Sequence, residues 1–312
     1  MPQAGDYNAA QIPVSADAGA VSVAAALNNK PNRNLLDNWY FVGGGTDGKF
    51  PVNQRGQTSY TAEGYCIDRW KLRFGISLTL ESGGIQISRD STASAEMIVE
   101  TLPDSLWEQI AGKSVTLSVL VNGKLGSVSF NAPVYLDQLM DSPEATVDNL
   151  LCDIYGIPSS NSCGVRFFSV SGESGTWTIQ AVKLELGSQQ TLAHQDEDGN
   201  WVLNEIPDYG EELAKCQRYL IPMDANSCWG LAESNTSAYL YLPLPVSMRT
   251  TPAFQGNLPS TLWPGGNSVT SISVFSPSAI ENMITLQVGG TGFIAQNVYS
   301  LNQPIGFLSA EL

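Results

Sequence analysis

The chain has 312 residues, of which 14% are charged and 43% hydrophobic, and its formal net charge is −15. That length allows two domains of ordinary size, each with its own core. An acidic chain without a basic run has no means of displacing counterions from a phosphate backbone, which excludes nucleic acid as a partner. No apolar run approaches the roughly 20 residues that span a bilayer, so no membrane insertion is expected.

The low charge, the 29 glycines and the 17 prolines favour short strands joined by turns over long surface helices. An all-β chain is therefore expected. Five cysteines (Cys66, Cys152, Cys163, Cys216, Cys228) form an odd set without metal-ligand spacing, which reads as buried free thiols. Cys152 and Cys163 remain a possible pair in an oxidising medium.

Residues 1–33 differ in composition from the rest. Alanine is dense between Ala16 and Ala26, with Pro13 before and Pro31 after. The pattern predicts one short helix, capped near Ser15 or Asp17 and ending near Asn28 and Asn29. An isolated helix of that length is marginal in water, so it is expected to order against a partner, as an attachment arm.

Strand-and-turn patterning begins at Asn34. The run Asn34-Leu35-Leu36-Asp37-Asn38-Trp39-Tyr40-Phe41 predicts an opening strand, and Gly43-Gly44-Gly45 through Gly48 a glycine hairpin. Asn53-Gln54-Arg55-Gly56 and Asp68-Arg69-Trp70 then set charged and amide side chains among large apolar ones, which suits an edge tied by charge-assisted hydrogen bonds. Residues 72–80 and 85–88 predict strands around a turn at Gly83-Gly84, and 95–100 another strand. Residues 103–113 predict a short helix ending at Gly112. Residues 114–121 give the clearest alternation in the chain, followed by Asn122-Gly123, a strong hairpin signal.

These motifs carry a resemblance. The order N-L-L-x-N (34–38), N-Q-R-G (53–56) and Y-x-x-D-R-W (65–70), with A-G-K-S-V-T-L-S (111–118) and A-V-K-L-E-x-G (181–187), resembles the jelly-roll, carbohydrate-binding-module-like domain of bacteriophage tail-fibre and appendage proteins. The resemblance covers residues 34–187 and makes Asn38, Asn53, Gln54, Arg55, Asp68, Arg69 and Trp70 its framework motif. Trp39 and Trp70 are expected to be buried.

Residues 188–212 read as a connector. Asp196-Glu197-Asp198-Gly199-Asn200 begins like a calcium loop, but Trp201 stands where glycine is needed and Pro207 where glutamate is needed, so a solvated turn is expected. Y-G-E-E-L-A-x-C-Q-R-Y (209–219) predicts a short helix running into a strand. It resembles the joint before the C-terminal domain of the same fibre proteins, and M-R-x-x-P (248–252) resembles the segment after it. Residues 213–312 then read as a β-rich tip domain. Its strands are expected near 238–242, 269–275, 284–288, 292–299 and 305–308, with six prolines from Pro222 to Pro264 marking edges and loops.

The chemistry of catalysis is sparse. His194 is the one histidine and lies in the acidic connector, which disfavours Ser-His-Asp and Cys-His mechanisms. No phosphate-cradling loop is present, since Gly43-Gly44-Gly45 has no helix after it. Asp68, Glu81, Asp90, Glu100, Asp137, Asp141 and Glu185 are candidates for a glycan-cleaving pair, but no spacing selects two of them. Ion pairing with Arg69 or Lys183 is the expected role of Asp68 and Glu185. Binding is the more natural reading, because sugars stack on flat aromatic faces while amides and hydroxyls read their edges. Trp107, Trp177, Trp201, Trp229, Trp263, Tyr239 and Tyr241 supply such faces. Trp229 and Trp263 are read as lying in Gly/Pro/Ser-rich loops, as exposed tips, and with Tyr239 and Tyr241 they are the candidate ligand-binding residues.

The expectation is an all-β chain: an attachment arm (1–33), a jelly-roll β-sandwich (34–187), a connector (188–212) and a second, β-sandwich-like tip domain (213–312). The resemblance implies a non-catalytic virion fibre protein without cofactor or metal, a homotrimer held to other virion proteins by its arm, with a host-surface glycan as possible ligand. It would be assembled in the host bacterial cytoplasm and displayed on the virion surface, where a strongly negative charge keeps neighbouring copies apart. The alternatives are a head-fibre or capsid decoration protein, whose leaders the opening GDYNAAQIPVSADAG resembles, and a glycan depolymerase.

Overall fold

A computed structural model describes residues 32–311, apart from 47, 74, 90–97, 103–106, 108–109, 136–137, 139–142, 158–161, 170–173, 258, 260, 264–268 and 281. The alanine-rich helix expected within the arm lies outside the described residues, as does most of the helix expected over 103–113.

The chain is all-β apart from one short helix among the described residues, and it divides into two compact units. The first holds the residues up to Pro51, Thr58–Tyr65 and Trp70–Pro207; the second holds Val52–Gln57, Cys66–Arg69 and Asp208–Leu312. The N-Q-R-G motif and Asp68-Arg69 thus belong to the second unit, although they lie within the sequence span expected for the first domain. Residues 188–207, expected to be a connector, belong to the first.

In the first unit the strands are β1 (Ser59–Tyr60), β2 (Gly64–Tyr65), β3 (Trp70–Leu72), β4 (Ile76–Glu81), β5 (Gly84–Arg89), β6 (Ile98–Leu102), β7 (Ser114–Val121), β8 (Lys124–Asn131), β9 (Ala145–Val147), β10 (Leu150–Ile157), β11 (Ser162–Ser169), β12 (Gly175–Leu186), β13 (Ala193–Gln195) and β14 (Trp201–Leu203). Two six-stranded antiparallel sheets form, ordered β1-β4-β5-β12-β7-β8 and β2-β3-β6-β11-β10-β9, and the chain passes back and forth between them. Alternation explains much of the core: Ile76, Leu78 and Leu80 of β4 are buried while Ser77 and Thr79 between them are partly exposed. Trp70 stacks edge-on against Phe41 and tilted against Phe167, and its indole Nε1–H donates to the Asn38 carbonyl oxygen at 3.0 Å.

Three local expectations change here. The opening strand over 34–41 is instead an irregular segment alongside β12. Asn38 takes a left-handed φ of 52°, and the Asn34 side chain stands in for backbone, donating to Val182 O and accepting from Leu184 N. The turn between β4 and β5 is centred on Ser82-Gly83, because Glu81 pairs with Gly84. The alternation in β7 does not mark an exposed face. Thr116 and Ser118 are as buried as their apolar neighbours, with Thr116 Oγ1 donating to Gly187 O at 2.8 Å. The hairpin at Asn122-Gly123 forms as expected, with Val121 opposite Lys124 and both turn residues at positive φ.

The second unit opens with α1 (Tyr209–Gln217). The Asp208 carboxylate caps it by accepting from Glu211 N at 2.9 Å. There follow β15 (Leu220–Met223), β16 (Trp229–Ala232), β17 (Ser237–Pro243), β18 (Ala253–Gly256), β19 (Leu262–Trp263), β20 (Thr270–Ile280), β21 (Met283–Thr291), β22 (Val298–Leu301) and β23 (Gly306–Ser309). A three-stranded sheet (β15-β23-β18) and a six-stranded sheet (β19-β22-β16-β17-β21-β20) share one core, in which Met223 and Leu308 join Leu240, Leu286, Tyr299 and Leu301. Of the strands expected near 292–299, only Val298 and Tyr299 extend, as the start of β22.

The framework motif supplies a buried polar cluster to this unit. Asp68 is 1% exposed and accepts from Gln54 N at 3.0 Å and Gln54 Nε2 at 2.6 Å; the Arg55 guanidinium lies 3.6 Å from it and also pairs with Glu311. Gln54 Nε2 reaches Leu220 O as well, at 2.9 Å, and Asn53 Nδ2 donates to Gln57 O. Arg69, left-handed at φ 72°, lays its guanidinium over the Tyr219 ring at 3.5 Å. Asp68 thus has Arg55, a partner not named from sequence, within ion-pair distance. Burial raises the Asp68 carboxyl to about 6, against hydrogen bonds from Gln54 and the charge of Arg55, and burial also raises Glu311.

Candidate functional site

The six-stranded sheet of the second unit has its apolar side chains distributed in an unusual way. β16 reads Trp-Gly-Leu-Ala, and its small residues, Gly230 and Ala232, face the core, while Trp229 and Leu231 face outward at 58% and 52% exposure. In β17 the core face takes Ala238, Leu240 and Leu242, leaving Tyr239 and Tyr241 on the outer face; Val298 of β22 and Trp263 of β19 are exposed there too. Large apolar side chains pointing away from a filled core form a patch of the kind that marks a binding surface.

Strand pairing sets these side chains in rows. Trp263 pairs with Ser300, Ser300 with Trp229, Trp229 with Tyr241, and Tyr241 with Thr285. One residue pair along, Val298 faces Leu231, Leu231 faces Tyr239, and Tyr239 faces Gln287. All four candidate ligand-binding residues, Trp229, Trp263, Tyr239 and Tyr241, thus lie on one face of one sheet; Trp229 and Trp263 are exposed as expected, but on strands in place of the expected loops. None of the six strands carries an Asp, Glu, Lys or Arg. The polar groups along the rows are hydroxyls and an amide: Ser300, Thr285 and Gln287.

Gly230 keeps the two aromatic strands together. A Cβ at that position would lie 1.8 Å from Tyr239 O, so only glycine lets the β16 backbone come as close to β17 as it does beside the Trp229–Tyr241 pair.

At the β19 end of the row, a cleft of about 260 Å³ opens beside Trp263, between Asn226 and Asn302. Asn226 is fixed in a left-handed turn (φ 59°), its backbone N–H donating to Leu301 O at 2.9 Å; Asn302 Nδ2 donates to Thr261 Oγ1 at 2.8 Å. Among the described residues, one aromatic and two amide side chains line the cleft. A wider cleft of about 520 Å³ lies in the first unit near Arg89, Ser77 and Ser174, but among the described residues no aromatic ring lines it. We regard the smaller one as the better candidate, because aromatic and amide groups converge there.

Asn226, Asn302, Leu231 and Val298 were not singled out from sequence. The one signal for the outward pair was available in β16, where the small residues occupy alternate positions and so force the large ones outward.

The other sequence candidates are placed elsewhere. Trp39 and Trp70 are buried; Trp177 is buried with its Nε1–H donating to Asp148 O at 2.8 Å, and Trp201 is half-buried in β14. Glu185 is buried, accepting from Thr191 N at 2.7 Å and Thr191 Oγ1 at 2.5 Å, while Lys183 pairs with Glu205 in place of the expected Glu185. Glu81 is exposed at the end of β4. Asp90, Asp137, Asp141 and the side chain of Glu100 lie outside the described residues. His194 sits in the β13–β14 hairpin with Nδ1 2.6 Å from Asn204 Oδ1. In the acidic turn Asp196 caps its own loop, accepting from Asp198 N and Asn200 N, and these bonds lower its pKa. All five cysteines are buried free thiols; burial drives Cys66 and Cys228 up to about 12. Among the described residues no three His, Cys, Asp or Glu side chains are grouped to hold a metal ion.

Compared with known proteins, the chain matches no family model, no curated protein and no solved structure. The outer face of the six-stranded sheet is thus read on its own chemistry. An uncharged sheet face with aromatic rings, hydroxyls and amides can stack on the apolar faces of pyranose rings and hydrogen-bond to their edges.

Proposed function

We propose that this chain is a non-catalytic structural protein of a bacteriophage virion, a tail fibre or appendage, that adheres to host-surface or environmental glycans. The observation that carries the adhesive part is the convergence of Trp229, Trp263, Tyr239 and Tyr241 on one exposed, uncharged sheet face. The virion part rests on the fibre-like motifs at 34–70, 111–118, 181–187 and 209–219. Adhesion is favoured over cleavage because glycoside hydrolysis needs two carboxyl groups flanking the bond, and the strands of this face supply none. In this reading the chain assembles as a homotrimer, attaches to other virion proteins through residues 1–33 and is displayed on the virion surface, where three copies of a weak site gain avidity.

The test is affinity electrophoresis of the full chain through gels containing host-cell polysaccharide. Retardation of the wild type that is lost in the Trp229→Ala/Trp263→Ala double variant supports the reading. Equal mobility with and without polysaccharide contradicts adhesion, and shortened polysaccharide chains after incubation contradict the absence of catalysis. Sedimentation of the full chain reads the trimer directly, and cryo-EM of intact particles separates a tail mount from a capsid one.

A further inference from the structure

The spacing of the aromatic row defines the shape of the ligand. Neighbouring strands lie about 4.8 Å apart. Trp263 and Trp229 are separated by the single residue Ser300 across the strands, so their backbones stand about two such spacings, roughly 10 Å, apart. In an extended β-1,4-linked hexopyranosyl chain each ring is flipped relative to the last. Rings two apart therefore present the same face, at a repeat that matches this separation.

We infer that the outer face of the six-stranded sheet binds a linear, neutral β-1,4-linked polysaccharide laid across the strands, with alternate sugar rings stacked on Trp263 and Trp229. This rests on the glycan-adhesion reading above and specifies its ligand. Ser300 lies beneath the intervening ring with a hydroxyl, and Tyr241 continues the row beyond Trp229. The cleft between Asn226 and Asn302 takes the ring over Trp263, its amides reading hydroxyl groups on that sugar's edge. Neutrality follows from the composition of the sheet. With no Lys or Arg on any of its strands and a net charge of −15 overall, the surface offers an acidic polysaccharide no counter-charge. Extension follows from the register: a row of side chains across four strands contacts several rings at once, whereas a single terminal sugar would touch one.

The test is calorimetric titration of the full chain with cello- and chito-oligosaccharides of two to six units, and with polygalacturonate as the acidic control. The expected result is an affinity that rises about tenfold or more between the disaccharide and the tetrasaccharide and then levels off, with polygalacturonate silent. Trp263→Ala should abolish that rise, with an unchanged melting temperature as the check on folding. Binding that is independent of chain length, unaffected by Trp263→Ala, or stronger for polygalacturonate overturns this inference while the adhesion reading stands. Failure of the cello- and chito-oligosaccharides while host polysaccharide still retards the chain also overturns this inference alone. Failure of every glycan, with self-association that Trp229→Ala/Trp263→Ala disperses, overturns both and assigns the face to a second copy of the chain.

Discussion

Trp229 on β16 and Tyr241 on β17 stand directly opposite each other in an antiparallel ladder, and both turn outward from the core. Their strands carry only Gly230, Ala232 and Ala238 as their closest core-facing neighbours, together with Leu240 and Leu242. A sheet that needed only stability would place its largest apolar groups inside, since each fully buried aromatic contributes about 1.5–3 kcal/mol. The reversed arrangement concentrates aromatic surface where a ligand can reach it.

Gly230 makes that arrangement possible, and Gly230→Ala should disrupt it. The added methyl would lie 1.8 Å from Tyr239 O, a backbone atom that moves only if the strand moves. We expect a loss of roughly 1–3 kcal/mol in stability, read by urea denaturation, together with weaker glycan binding. Unchanged stability and binding would show that β16 and β17 are not held at the spacing described.

The buried pair of Arg55 and Glu311 predicts a large effect from a position next to the end of the sequence. Both side chains are sequestered, and Arg55 also lies 3.6 Å from Asp68. Glu311→Ala takes a buried carboxylate away from the Arg55 guanidinium, and we expect destabilisation of about 3 kcal/mol. Chemical denaturation of the two proteins at pH 7 measures it; a difference within a few tenths of a kcal/mol would mean that the pair is dispensable.

Asp68 predicts a pH dependence with a definite sign. Burial raises its carboxyl from 3.8 to about 6 in the folded chain. Between those values the folded state holds a proton that the unfolded state has released, so the contribution of Asp68 to stability is full below about pH 4 and is lost as pH rises through about 6. Glu311 is shifted in the same direction. Denaturation measured from pH 4 to 7 should show the wild type losing this increment on the way up, and Asp68→Asn should flatten the profile. A wild-type profile parallel to that of Asp68→Asn would contradict the assignment.

The cysteines should be silent in the native protein. All five are buried, and burial holds the thiols of Cys66, Cys152 and Cys228 well above the range in which thiolate forms. Ellman's reagent should find no fast-reacting thiol in native protein and five after denaturation. Three after denaturation would reveal a disulfide.

The sequence carried the all-β class in its composition and its turn chemistry: Asn122-Gly123 forms the hairpin that its residue types require, and Trp70 is buried as the core of a sandwich demands. Pairing was less legible. N-Q-R-G and Asp68-Arg69 are close in sequence to the first unit, yet Gln54 and Arg55 reach Leu220 and Glu311, partners 166 and 256 residues away that no local pattern encodes. β7 shows why alternation misled: Thr116 satisfies its hydroxyl against Gly187 O, so a polar residue at every second place did not mean solvent. For the candidate site, residue type identified Trp229, Trp263, Tyr239 and Tyr241, but only strand register aligns Trp263, Ser300, Trp229 and Tyr241 in one row. Asn226 and Asn302 join Trp263 through turns whose geometry no sequence motif announces.

The most direct test of the central claim is retardation of the full chain in polysaccharide gels, compared with the Trp229→Ala/Trp263→Ala variant at the same melting temperature. The account predicts strong retardation of the wild type and free migration of the variant. Equal retardation of the two would place any glycan site elsewhere and contradict the assignment of this face.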